Sequence, residues 1–247
     1  PFVRQELVET LYHVLWETVH VFLDHLGSSH SGAGGSAFLY PFLEHTETDV
    51  ESLLADVTAS VLVKARETGD LRARTIAGAV DLAGAGEALC ERLDAGGTVL
   101  AFGNGGSATD AMDLVADLRA AGRRALDLTA DTAILTALAN DVGPEVLFQR
   151  QVIAHGRDAD VALAFSTSGG SANILLALAE ARRRGLETVA VVGYDGGRIA
   201  AERLADHVIV APSQYIPRIQ EAQATVYHLL CERVSAASPR RTELAQA

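Results

Sequence analysis

Two glycine- and serine-rich stretches and two pairs of polar side chains are where this 247-residue sequence can do chemistry. In Val99-Leu-Ala-Phe-Gly-Asn-Gly-Gly-Ser-Ala-Thr-Asp110 a short apolar run passes through Gly103, Asn104, Gly105 and Gly106. It then reaches Ser107 and Asp110, the S-x-x-D signal that opens a helix. Val161-Ala-Leu-Ala-Phe-Ser-Thr-Ser-Gly-Gly-Ser-Ala-Asn173 repeats the design, with Ser166, Thr167 and Ser168 before two glycines and Ser171 as the helix cap. Turns of this kind aim backbone N–H groups and a helix dipole at one point, and hydroxyls can surround a phosphate there without any lysine. Asp113 and Asp117, four residues apart, share a face of the helix after the first stretch. Gln220 and His228 stand about two turns apart on a later predicted helix and can face one cavity.

The two loops together, G-N-G-G-S after one strand and S-T-S-G-x-S after another, resemble the sugar isomerase (SIS) family. Within it the likeness is to the phosphoheptose isomerases, over residues 40–235. The resemblance implies an isomerase that converts sedoheptulose 7-phosphate to D-glycero-D-manno-heptose 7-phosphate by proton transfer through an enediol. It implies that Asn104, Gly105, Ser107, Ser166, Thr167, Ser168, Ser171 and Gln220 bind the phosphosugar. Asp141, in an Asn-Asp pair with Asn140, is either a further substrate residue or part of a helix stop.

In that family the helix after the first loop carries a His and then a Glu, which bind zinc with a Gln and a His of the final helix. Gln220 and His228 match the closing pair, whereas Asp113 and Asp117 stand at the positions of the opening pair. The implied metal set is thus Asp113, Asp117, Gln220 and His228, holding zinc or another divalent ion. Oxygen in place of nitrogen at Asp113 moves preference towards harder ions. Asp117 keeps a carboxylate one methylene shorter and is the implied general base, with His228 as the acid. The other reading makes both aspartates exposed helix residues. A second departure is Pro217, where relatives carry an Asp three residues before the Gln. These departures keep open a rival function, a non-catalytic phosphosugar-binding protein serving as sensor or assembly partner; an isomerase of another phosphosugar is a third.

Composition narrows the classes. A formal charge of -12 argues against nucleic acid as a partner, and the one basic cluster, Arg182 to Arg184, reads as a solvated helix end. Cys90 and Cys231 lack metal spacing and read as reduced, buried thiols. No apolar run reaches the ~18 residues of a membrane span and no signal-peptide pattern occurs, so a cytoplasmic protein without a membrane partner is expected. The family resemblance implies a homo-oligomer, a tetramer in relatives.

The elements that must position these residues alternate. Helices are expected over 47–68 and 71–95, broken at Gly69-Asp70, then a strand at 97–102 and a helix over 107–121. Strands follow at 124–128, 160–165, 188–192 and 207–210, separated by helices, with a closing helix over 217–236. This order predicts an α/β fold, an SIS-type doubly wound parallel sheet flanked by helices, with ligands at the carboxyl ends of the strands. Gly193-Tyr-Asp-Gly-Gly197 resembles the family's G-x-D-G-G turn.

An extra N-terminal helix over 1–26 has a twin. Aligned without gaps against Gln220 to Val234, the stretch Gln5 to Val19 repeats Gln5/Gln220, Glu6/Glu221, Thr10/Thr225, Tyr12/Tyr227, His13/His228, Leu15/Leu230, Glu17/Glu232 and Val19/Val234. Accident is the alternative, but apolar periodicity alone does not reproduce Gln, Thr and His. The organisation expected is therefore a helix like the last one of another SIS domain (1–26), a flexible linker (27–39), an SIS domain (40–237) and a tail (238–247). Tandem or rearranged SIS domains in the native polypeptide would account for the repeat. Through Gln5 and His13 the leading helix either offers a degenerate second site or serves packing alone.

Overall fold

The computed structural model describes residues 2–26, 50–78 and 80–237; the expected linker and tail lie outside the described residues. Helix α1 (Phe2–Leu26) precedes α2 (Val50–Ala77) and α3 (Val80–Asp94). The α/β unit then runs β1 (Val99–Gly103), α4 (Gly106–Ala120), β2 (Ala125–Asp127), α5 (Thr132–Asp141), α6 (Leu147–His155) and β3 (Val161–Ser166). It ends with α7 (Ala172–Arg183), β4 (Glu187–Gly193), α8 (Gly197–Ala201), β5 (His207–Ala211) and α9 (Ile216–Ala237). No described helix is long and apolar enough to cross a membrane.

The five strands pair in parallel in the order β2-β1-β3-β4-β5. Both faces of the sheet are covered, which is why its strands read as unbroken apolar runs rather than alternating ones. Val99, Ala101, Leu163, Phe165 and Val191 point to the layer that contains Leu89 of α3, Leu114 of α4 and Tyr227 and Leu230 of α9. Leu100, Phe102, Ala164 and Val192 point to the opposite layer, with Phe148 of α6 and Ile174 and Leu178 of α7. Cys90 and Cys231 are free and buried in the first layer. Burial, then the Asp117 charge, pushes the Cys231 thiol up to about 12.

Three local expectations are corrected. The break at Gly69-Asp70 is absent and α2 runs through it to Ala77. The glycine costs a helix about 1 kcal/mol, but its neighbours Thr68 and Leu71 are buried and hold the helix to the domain. The S-x-x-D signal does not cap α4: the cap position is Gly105, at φ 56°, with no side-chain cap, and Ser107 and Asp110 turn inward, both buried. Ser171 does occupy the cap position of α7, yet its hydroxyl makes no capping bond, and the Ile174 N–H donates to Asn173 Oδ1 at 3.0 Å instead.

Candidate active site

Neighbouring strands β1 and β3 carry the two loops at their carboxyl ends, Gly103 lying in register with Phe165. The strand order changes direction between these strands, the place where open α/β sheets leave a crevice for ligand. The loops are tied by a reciprocal amide pair in which Asn104 and Asn173 each donate to the other's Oδ1 at 2.9 Å. No sequence pattern singles out Asn173, although it stands just inside the helix that the second loop opens.

The second loop is shaped by its own hydroxyls. Ser166 Oγ accepts from the Gly169 N–H at 3.1 Å, and Ser168 Oγ from the Gly170 N–H at 3.3 Å. Behind it lies the Gly193 to Gly197 turn. A Cβ on Gly169, at φ +59°, would stand 2.2 Å from the Gly196 carbonyl oxygen, so only glycine allows the two turns to touch. Thr167 and Ser171 are half-buried and Ser168 is exposed, which leaves hydroxyls open to a ligand.

Helix α9 closes the crevice from the side. The amide nitrogen of Gln220 is pressed against Gly106, where a Cβ would stand 1.8 Å from it. Gln220 therefore belongs to the first loop. The place expected of it beside His228 is taken by its twin, Gln5 of α1. Gln5 Nε2 donates to Asp113 Oδ2 at 2.6 Å, and Gln5 Oε1 lies 3.3 Å from His228 Nε2. The other ring nitrogen of His228, Nδ1, lies 2.9 Å from Glu6 Oε1, and the ring stacks on Phe2. Burial raises the Glu6 carboxyl, but the His228 bond and the charge of Arg72, 3.5 Å away, outweigh it and hold the carboxyl below its usual range.

Three aspartates of α4 line this region. Asp117 Oδ2 is buried without a hydrogen-bond partner among the described residues, and burial raises its carboxyl while the His228 ring works the other way. Asp110, also an orphan at Oδ2, is raised strongly by burial and by Glu9 and Asp113. Tyr227, whose hydroxyl lies 3.5 Å from Asp113 Oδ2, is held well above its ordinary range, first by burial. Such a region can hold a proton on a carboxyl and pass it to a sugar oxygen or carbon.

The residues present do not fit a divalent cation. Both ring nitrogens of His228 are engaged, Gln5 holds Asp113, and Gln220 is turned to Gly106. Among the described residues no three His, Cys, Asp or Glu side chains converge closely enough to hold a metal. Asn140 and Asp141, at the end of α5, are exposed and bond to each other at 2.8 Å.

Residues 68–193 match the model of the SIS domain. The chain belongs to the SIS domain family. Among SIS proteins it is 46% identical over 156 residues to a phosphoheptose isomerase of Paramagnetospirillum magneticum, covering 61% of this chain and 80% of that one. It is 39% identical over 188 residues to a phosphoheptose isomerase of Geobacter sulfurreducens, covering 74% of this chain and 97% of the relative. The solved phosphoheptose isomerase GmhA of Neisseria gonorrhoeae superposes with a TM-score of 0.69 at 35% identity, over 72% of this chain and 99% of that one. The SIS fold expected from the two loops is thus the fold observed, helices on both faces and α1 included.

Proposed function

We propose that this SIS chain is a phosphoheptose isomerase, interconverting sedoheptulose 7-phosphate and D-glycero-D-manno-heptose 7-phosphate. The observation that supports the reading is the placement of two hydroxyl-bearing glycine loops at adjacent strand ends, with Gln220 of α9 against the first of them. The phosphate is held by Ser107, Ser166, Thr167, Ser168 and Ser171 with the N–H groups of their turns. Asn104, Gly105, Asp141 and Gln220 orient the sugar.

Asp117 acts as the base. Its carboxyl, raised by burial, lies nearer the working pH than an exposed aspartate would, which suits a group that must both take and return a proton. It removes a proton from C1 of the ketose while His228 protonates the C2 carbonyl oxygen, giving the enediol. The O1 hydroxyl then gives up its proton, C1 becomes the aldehyde carbon and C2 takes a proton. Because the donor arrangement does not fit a cation, no step is assigned to one. A homotetramer working in the cytoplasm, where phosphosugars are made, completes the reading.

The test is an NMR-monitored incubation with sedoheptulose 7-phosphate, with a chelator and again with added zinc or manganese, beside Asp117→Asn and His228→Ala. The expected result is an aldoheptose phosphate that is lost in both variants. One observation favours the second reading, a phosphosugar-binding protein without turnover: Gln5 spans Asp113 and His228. Ligand-dependent line broadening with no product under every condition would select it.

A further inference from the structure

Helices α1 and α9, the two copies of the sequence repeat, pack against each other. Glu6 pairs with His228 at 2.9 Å and His13 pairs with Glu221 at 3.0 Å. Since Glu6 corresponds to Glu221 and His13 to His228 in the repeat, exchanging the helices converts one pair into the other. The two helices are therefore antiparallel about a local two-fold axis.

What they do not share is cover. Val226, Tyr227, Leu230 and Val234 of α9 are buried in the layer under the sheet, with Phe165 and Val191. Their counterparts on α1, Leu11, Tyr12, Leu15 and Val19, are 65%, 58%, 63% and 43% exposed. One stripe of one repeated helix thus lies under a sheet in one copy and faces outward in the other, and a stripe of this size marks an interaction surface.

We propose that the outward stripe of α1 is a docking face for a second parallel α/β sheet of SIS type, which α1 closes as α9 closes the sheet described here. An intact second copy of this chain does not qualify as the occupant, because its own α9 already covers the equivalent face. The partner is an SIS-type sheet that lacks a closing helix of its own.

Trp16, the chain's single tryptophan, lies beside the stripe, stacked on Tyr12, and reports on it. The probe is one polypeptide with residues 50–215 placed directly ahead of residue 1, so that α1 follows a sheet as α9 does. Trp16 emission is expected to move to the blue and its quenching by acrylamide to fall several-fold relative to the 247-residue chain. Leu11→Glu with Leu15→Glu in that fusion is expected to reverse both changes while the domain closed by α9 keeps its circular dichroism. A fusion carrying residues 50–237 ahead of residue 1, its sheet already closed, is expected to leave Trp16 as in the parent. No shift in the first fusion, failure of its leading copy to fold, or an equal shift in the second overturns the proposal. So does sedimentation of the unmodified chain as an oligomer that Leu11→Glu with Leu15→Glu dissociates, since the occupant would then be a second copy.

Discussion

The imidazole of His228 on α9 is held by the carboxylate of Glu6 on α1, Nδ1 to Oε1 at 2.9 Å, so that a helix outside the α/β unit orients the side chain assigned as the acid. A carboxylate on one ring nitrogen fixes the orientation of the ring and which nitrogen faces the other way. Glu6→Gln keeps the shape and removes the charge. It is expected to lower kcat for sedoheptulose 7-phosphate by on the order of tenfold. KM should hardly change, because the phosphate loops belong to other elements. Steady-state kinetics checks the split, and a change confined to KM would remove Glu6 from the proton-transfer machinery.

Gly106 and Gly169 look alike in sequence and differ in what surrounds them. The nearest atoms a methyl on Gly106 meets are those at the end of the Gln220 side chain, which can swing aside, and alanine suits a helix better than glycine by about 0.5–1 kcal/mol. Gly106→Ala is therefore expected to keep or slightly raise Tm while weakening phosphosugar binding through the displaced Gln220. In Gly169→Ala the methyl meets the Gly196 backbone at a positive φ, and a loss of about 1–3 kcal/mol is expected. Urea unfolding and ligand titration of the two variants distinguish the cases.

Glu9 of α1 makes stability depend on pH. Burial pushes its carboxyl up from 4.5 to about 7; Glu221 and Asp113 add to this and His13 opposes it. Between those values the folded protein keeps a proton that the unfolded chain has lost, so stability falls as pH rises from about 4.5 to about 7 and then levels off. Glu9→Gln removes this dependence. At pH 8 it is expected to be more stable than the parent by about 3 kcal/mol, and at pH 4 to match it. Urea titrations at the two values decide the matter, and an equal difference at both would show that Glu9 does not titrate in this range.

Much of this was legible in the chain because the signals are local. Apolar runs followed by glycine and serine specify buried strands, their loops and hence the crevice, and the repeat of Gln5, Glu6 and His13 marked α1 as special. What escaped is what depends on packing. Gly69-Asp70 reads as a stop until Thr68 and Leu71 are seen to be buried, and Ser107 reads as a cap until Gly105 takes that position with a positive φ. The exchange of Gln5 for Gln220 beside His228 could not be read from spacing, since both glutamines hold the same place in their own helix and only the antiparallel contact decides which one reaches the ring.

That exchange also bears on metal affinity. Gln5 Nε2 donates to Asp113 at 2.6 Å, and its Oε1 lies 3.3 Å from His228 Nε2, so a cation using Asp113 and His228 must first break both contacts. Each is worth about 1 kcal/mol net, and more where a carboxylate accepts. Gln5→Ala frees the Asp113 oxygen and the His228 Nε2 from these two contacts. Zinc is expected to bind this variant at least about tenfold more tightly than the parent, the factor that roughly 1.4 kcal/mol of lost competition represents. Isothermal titration with zinc, repeated on Gln5→Ala with His228→Ala, reads the effect without reference to turnover. Equal affinities in parent and Gln5→Ala would mean that the amide does not guard the site, and a gain that survives His228→Ala would place the ion elsewhere.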